Sequence, residues 1–236
     1  MIVGSIPSHF VRVVDLSHPF QPGHWRWKPR LERTSQHGPA SAFLSGRLET
    51  ALHAFTHVDA PAHFLPGAAT LESLPVDHWV GEATVVDLSD VGAEHGGVRA
   101  EHLERRAQHV RAGEIVLLRT DWDRRMDIGR REFWTQGPFT RRDAAEWLAD
   151  RGVRVVGYDY PPDETVRLDP DNSGRFPREQ HATHAVFFPR GIGVVEYLAN
   201  LSDIQQARFL FVALPLRLVG GDGCPVRAVA VEDLAT

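Results

Sequence analysis

His53-Ala54-Phe55-Thr56-His57-Val58-Asp59-Ala60-Pro61-Ala62-His63 sets three imidazoles and one carboxylate at intervals of four, two and four residues. Imidazole with carboxylate suits Zn²⁺ or Mn²⁺, and catalytic sites of that kind leave one coordination position open for water. All four residues share one parity, so a fully extended strand would turn them to one face. Along such a strand His53 and His57 would stand ~13 Å apart, too far to share a metal, whereas His57 and Asp59 are about half as far apart. A helix would align His53 with His57 but swing Asp59 away, and Pro61 disfavours continuing a helix through Asp59 and Ala60. The segment must therefore change direction between His53 and His57, as a strand or a loop. Phe55 has the parity of the ligands and is expected to project into the same pocket.

Outward from this stretch, strands alternate with helices. Residues 11–16 read as a short buried strand, followed by a turn-rich aromatic stretch over 18–30. Residues 43–49 suggest a second strand, and the β-branched run 83–88 a third. Helical spacing over 100–110 ends at Gly113, and an apolar strand follows over 114–119. Thr140 and Asp143 are placed to cap a helix over 141–150. Gly152 ends it, and 153–156 begins another buried strand. Apolar runs at 208–214 and 226–231 flank the turn Gly220-Gly221-Asp222-Gly223, and Gly191-Ile192-Gly193 reads as a turn. The pattern predicts an α/β fold, a single domain over 1–236 with a mixed β-sheet flanked by helices.

Composition bounds the function. A chain of 236 residues, 42% hydrophobic and 24% charged, buries a sizeable core without help, so any metal serves chemistry. The net charge of −5 comes with no basic stripe, which argues against nucleic acid. One cysteine, Cys224, allows neither an intrachain disulfide nor a Cys-x-x-Cys knuckle and is read as structural. The opening MIVGSIPSHFVRVVDL has no basic region before a long apolar core, and no run approaches the ~18 residues of a membrane span. A cytoplasmic enzyme acting on a small molecule is expected.

The His53–His63 stretch resembles the signature His-x-Gly-Thr-His-x-Asp-x-Pro-x-His of the cyclase-like metal-dependent hydrolases, which include bacterial kynurenine formamidases and isatin hydrolases. Every position matches except Phe55, which stands where the family usually has glycine. Val14-Asp15-Leu16-Ser17-His18-Pro19, Arg119-Thr120-Asp121-Trp122, HAVFFPRGIGVVE from His184 to Glu196, and Gly223-Cys224-Pro225-Val226-Arg227 extend the likeness over most of the chain. The resemblance implies a swivelling β/α/β-like fold and a dinuclear Zn²⁺ or Mn²⁺ site. It assigns His53, His57 and Asp59 to one metal, has Asp59 bridge to a second held by His184 and Glu196, and makes His63 the acid/base. It further implies a homodimer or homotetramer.

The reaction implied is hydrolysis of an amide or lactam C–N bond by metal-activated water, with His63 passing the proton to the leaving nitrogen. An aryl formamide such as N-formylkynurenine, or a cyclic amide such as isatin, is the expected substrate. A cyclase or dehydratase, a lactone hydrolase and a non-enzymatic metal-binding protein are the alternatives. His181, three residues before His184, competes for the ligand role. Trp27, with Trp25 beside it, falls where the family's substrate-contacting aromatic lies, and Phe55 is expected to narrow the substrate space. Asp159-Tyr160-Pro161 follows a strand and is expected to face the pocket, while Asp15 and His18 are expected to close a turn.

Overall fold

The runs richest in buried branched residues make the centre of one large sheet. The computed structural model describes residues 11–39, 41–91, 96–171 and 174–233; the reading that excluded a leader falls largely on residues 1–10, outside these. The chain opens with β1 (Val11–Asp15) and a hairpin of β2 (Arg30–Ser35) and β3 (Ser45–Glu49), then reaches β4 (His57–Asp59). β5 (Val80–Asp87) is followed by α1 (Ala100–Arg106) and β6 (Ile115–Arg119). Next come α2 (Trp122–Arg125), α3 (Arg131–Gln136), α4 (Arg142–Asp150) and β7 (Val155–Tyr158). α5 (Glu164–Leu168) and α6 (Ala182–Phe187) lead to β8 (Gly193–Glu196), and β9 (Phe209–Val212), β10 (Gly223–Pro225) and β11 (Val229–Asp233) finish the fold.

Among the described residues nine strands form one mixed sheet in the order β1-β11-β9-β5-β6-β7-β8-β4-β10. β5 to β8 run parallel, and their connections cross over through the helices, as parallel pairing requires. The remaining pairs are antiparallel. Because side chains alternate across a strand, β6 feeds two cores: Val116 and Leu118 face the helices, while Ile115 and Leu117 face the other side. That second core is closed by the sheet curling on itself, so that Val14, Val58, Phe211 and Cys224 share it. The curl brings Ser17 beside Leu198 and has the Ala199 amide donate to the Leu16 carbonyl. Among the described residues no helix is long and apolar enough to cross a membrane.

The α/β architecture with a helix-flanked mixed sheet agrees with expectation, as does the turn at Asp15, while other local features add to the reading or correct it. β2 falls just beyond the stretch read as turn-rich, and it pairs only with β3, exposed along most of its length. The helix starting at Arg142 has no Thr140 cap: the Thr140 hydroxyl bonds the Tyr160 hydroxyl at 2.9 Å, and Asp143 reaches the Ala100 amide at 3.3 Å. Asp15 turns the chain through the Ser17 amide and pairs with Arg227, while His18 donates its amide to Thr56 Oγ1. Asp159 is fully buried and ties β6 to β7, accepting from the Thr120 hydroxyl at 2.6 Å and from the Thr120 and Asp121 amides at 2.8 Å; it does not reach the cleft described below.

Candidate metal centre

Two short antiparallel strands carry the site. β4 pairs with β8 so that His57 lies opposite Glu196, and with β10 so that Asp59 lies opposite Gly223. The direction change between His53 and His57 is made at Phe55, whose φ of 55° is left-handed. This is the conformation a glycine adopts freely and a side chain pays for, which accounts for the family's glycine at this position. The bend folds His53 back over β4, where its Nδ1 lies 2.6 Å from Asp59 Oδ1, while His57 Nε2 lies 3.2 Å from the same oxygen. Pro61 opens a short 3-10 turn that ends at His63 and lays that ring against His53, tilted by 34°, at 3.8 Å between centroids. From α6, His184 Nε2 approaches Asp59 Oδ2 at 3.5 Å and Glu196 Oε1 at 3.6 Å; Glu196 Oε2 stands 3.9 Å from His57 Nε2.

The donor set fits divalent cations. Among the described residues, His53, His57 and Asp59 gather their ligand atoms within 4.8 Å of one another, and so do Asp59, His63 and His184, and, at the rim, His53, His63 and Asp222. Asp59 belongs to the first two groups, its Oδ2 being buried and without a hydrogen bond. Glu196 stands beside these triads rather than inside any of them. Each inward-facing histidine is held from behind, as ligating imidazoles are. The His57 Nδ1–H donates to the Phe55 carbonyl at 2.7 Å, and the His184 Nδ1–H to Asp163 Oδ2 at 2.6 Å. His53 Nε2 faces Asp222 Oδ2 at 3.0 Å.

The electrostatics ask for positive charge at the centre. Burial alone would lower His53, yet the Asp59 and Asp222 carboxylates lift it to about 9, and Asp163 with Asp59 carries His184 well above its ordinary value against the same burial. Although burial would raise it, Asp59 is held far below the usual carboxylate range by His57 and His53. Glu196 is pushed up by burial and by Asp59. His63 goes the other way, down to about 4, through burial and, against the pull of Asp59, the neighbouring His53 and His184. It is the most open imidazole of the cluster, 35% exposed against 24% for His53, with His57 and His184 buried.

The cluster lies in a cleft of about 580 Å³. Trp27 lines the cleft, as do Phe64, His181 and Tyr197. Trp25 does not; the Arg131 guanidinium lies 4.9 Å from its ring. His181 borders the cleft, but it hydrogen-bonds Thr165 at 2.9 Å and belongs to none of the triads. Phe55 does not reach the cleft. The bend cancels the parity argument and buries its ring at 1% exposure against Phe20, His24 and Trp27, 4.6 Å from Trp27 between centroids. Asp163 and Asp222 were missed by the sequence reading. Asp163 sits 21 positions from the histidine it supports, just past the Asp159-Tyr160-Pro161 stretch that was expected to face the cleft.

Residues 14–164 match the Cyclase family. A kynurenine formamidase of Bacillus cereus is 32% identical over 184 residues, 78% of each chain. One from Salinibacter ruber is 33% identical over 206 residues, 87% of this chain and 85% of its own. Among solved structures, isatin hydrolase A from Labrenzia aggregata superposes with a TM-score of 0.77 over 94% of both chains at 24% identity, which speaks for the fold.

Proposed function

The chain belongs to the Cyclase family, and on that premise we propose that it is a metal-dependent amidohydrolase that cleaves the C–N bond of an aryl formamide or a cyclic amide. The observation that carries the reading is the orientation of three histidines. His53, His57 and His184 each aim one ring nitrogen at Asp59 while the other is held from behind. His53, His57 and Asp59 would hold one cation; Asp59, His184 and Glu196 would hold a second, Zn²⁺ or Mn²⁺ in each case. Cations there supply the Lewis acidity that activates water and polarises the carbonyl.

This chain's residues do the rest. Trp27 and Tyr197 form an aromatic wall that seats a flat aryl group beside the metal ligands. His63, neutral and facing the open side, takes the proton from the attacking water at one ring nitrogen. It then returns that proton to the departing nitrogen, so that a formamide yields amine and formate, and a cyclic amide opens to one molecule bearing both amine and carboxylate. The cleft's volume lies in the range of small-molecule sites.

A panel of aryl formamides, lactams and lactones, followed by product mass, tests the reading. Metal-dependent cleavage of a formamide to its amine and formate, which together carry one added water, is the expected result, and N-formylkynurenine is the first compound to try. Loss of a water would instead make the protein a cyclodehydratase, and gain of water with lactones alone would make it an esterase.

A further inference from the structure

We propose that Asp222 is a positioning residue that fixes a metal ligand and the proton carrier with one carboxylate oxygen. Asp222 Oδ2 lies 3.0 Å from His53 Nε2 and 3.5 Å from His63 Nδ1, and the two rings it faces lie against each other, tilted by 34°. The far nitrogen of His53 points at Asp59, so Asp222 holds this ligand's outer nitrogen as Asp163 holds that of His184. Asp163 is completely buried and bonds His184 closely, with His181 farther off at 3.9 Å, whereas the Asp222 side chain is 42% exposed at the rim and faces His53 and His63.

The fold fixes Asp222 firmly. Its carbonyl accepts the Ala60 amide at 2.9 Å, one residue past the ligand Asp59, so the turn carrying it is sewn to β4. On its other side Gly223 begins β10. A side chain built there would strike the His53 ring, its Nδ1 at 2.8 Å, so the glycine leaves the space that ring occupies. Backbone and side chain of Asp222-Gly223 thus form a seat for His53, and the seat extends to His63. Losing the carboxylate frees the His53 ring to turn off the metal and the His63 ring to leave its working orientation. The consequence is a double defect, in metal retention and in turnover.

The inference rests on the metal-dependent reading, and its test separates the two. Zn²⁺ affinity is measured by chelator competition for the wild type, Asp222→Ala and Asp222→Asn, alongside kcat and KM on the best substrate of the panel. Asp222→Ala is expected to bind Zn²⁺ about 10–100-fold more weakly and, at saturating Zn²⁺, to show reduced kcat with KM little changed. Asp222→Asn, which keeps an acceptor for the His53 N–H, recovers most of the affinity. Wild-type affinity in both variants would overturn the proposal; so would loss of affinity in Asp222→Ala with no loss of kcat at saturating metal. Should the alanine variant fail to fold, Asp222→Ser, whose shorter side chain withdraws the acceptor from both rings, decides: about tenfold or greater weakening supports the seat, and wild-type affinity refutes it. A wild type that binds Zn²⁺ but turns over no amide would sink the functional reading and leave the affinity comparison standing.

Discussion

At Phe55 a left-handed backbone and a buried ring oppose each other. A side chain at φ 55° costs ~1–2 kcal/mol, while removing a packed phenyl from a core typically costs about 3–5 kcal/mol. Packing wins, so Phe55→Gly is expected to lower stability by about 2–3 kcal/mol in urea unfolding, even though it restores the family's residue. Because Trp27 rests on that ring, the same variant should alter KM across the substrate panel with metal content unchanged. Wild-type stability would mean the ring contributes no net packing. His63 gives a complementary expectation. His63→Ala should keep its full metal content, measured by elemental analysis, while kcat falls by about 10²–10⁴. A binding protein without chemistry would show no such separation. These residues were legible because the spacing of His53, His57, Asp59 and His63 is itself the signal. Phe55 was misplaced because parity holds only along an unbroken strand, and its own backbone makes the break.

The strands that hold the ligands are the least visible elements in the sequence. β4, β8 and β10 have three or four residues each, too few to show a period, and Gly223-Cys224-Pro225 reads as the end of a turn. The long parallel strands β5 and β6, by contrast, announce themselves as buried apolar runs. The helix over Arg142–Asp150 was legible and its cap was not, since Thr140 bonds a tyrosine that only the fold brings near. Asp163 and Asp222 escaped for the same reason: each acts on a histidine many positions away. At this scale Gly223→Ala is the sharp variant. Its new methyl displaces His53 while β10 keeps its pairing, so Zn²⁺ affinity should fall about tenfold or more with little change in melting temperature. Unchanged affinity would show that the seat under His53 has room to spare.

Across the whole molecule, the curl of the sheet brings the N-terminal turn against the ligand-bearing end, and one titration reports on that closure. His18 follows β1, its ring edge-on to Phe133 and its Nε2 buried without a hydrogen bond. Burial presses it from its ordinary 6.5 to about 4 despite the pull of Asp127. Between those values the unfolded chain binds the proton and the folded chain does not. Stability is therefore intact above pH 6.5 and lost as pH falls toward 4, by up to about 3 kcal/mol from this group. Comparing urea midpoints of the wild type and His18→Gln across that interval should show a shallower loss in the variant, and equal slopes would contradict the assignment. The central claim, that this fold assembles its histidines to hold catalytic metal, is tested most directly by stripping the protein with a chelator, reloading it with Zn²⁺ or Mn²⁺, and quantifying both bound metal and the amine and formate released from an aryl formamide. Turnover is expected to disappear with the metal and to return as two equivalents are rebound. Undiminished turnover in the stripped protein, or a fully reloaded protein that releases neither product, would contradict that claim.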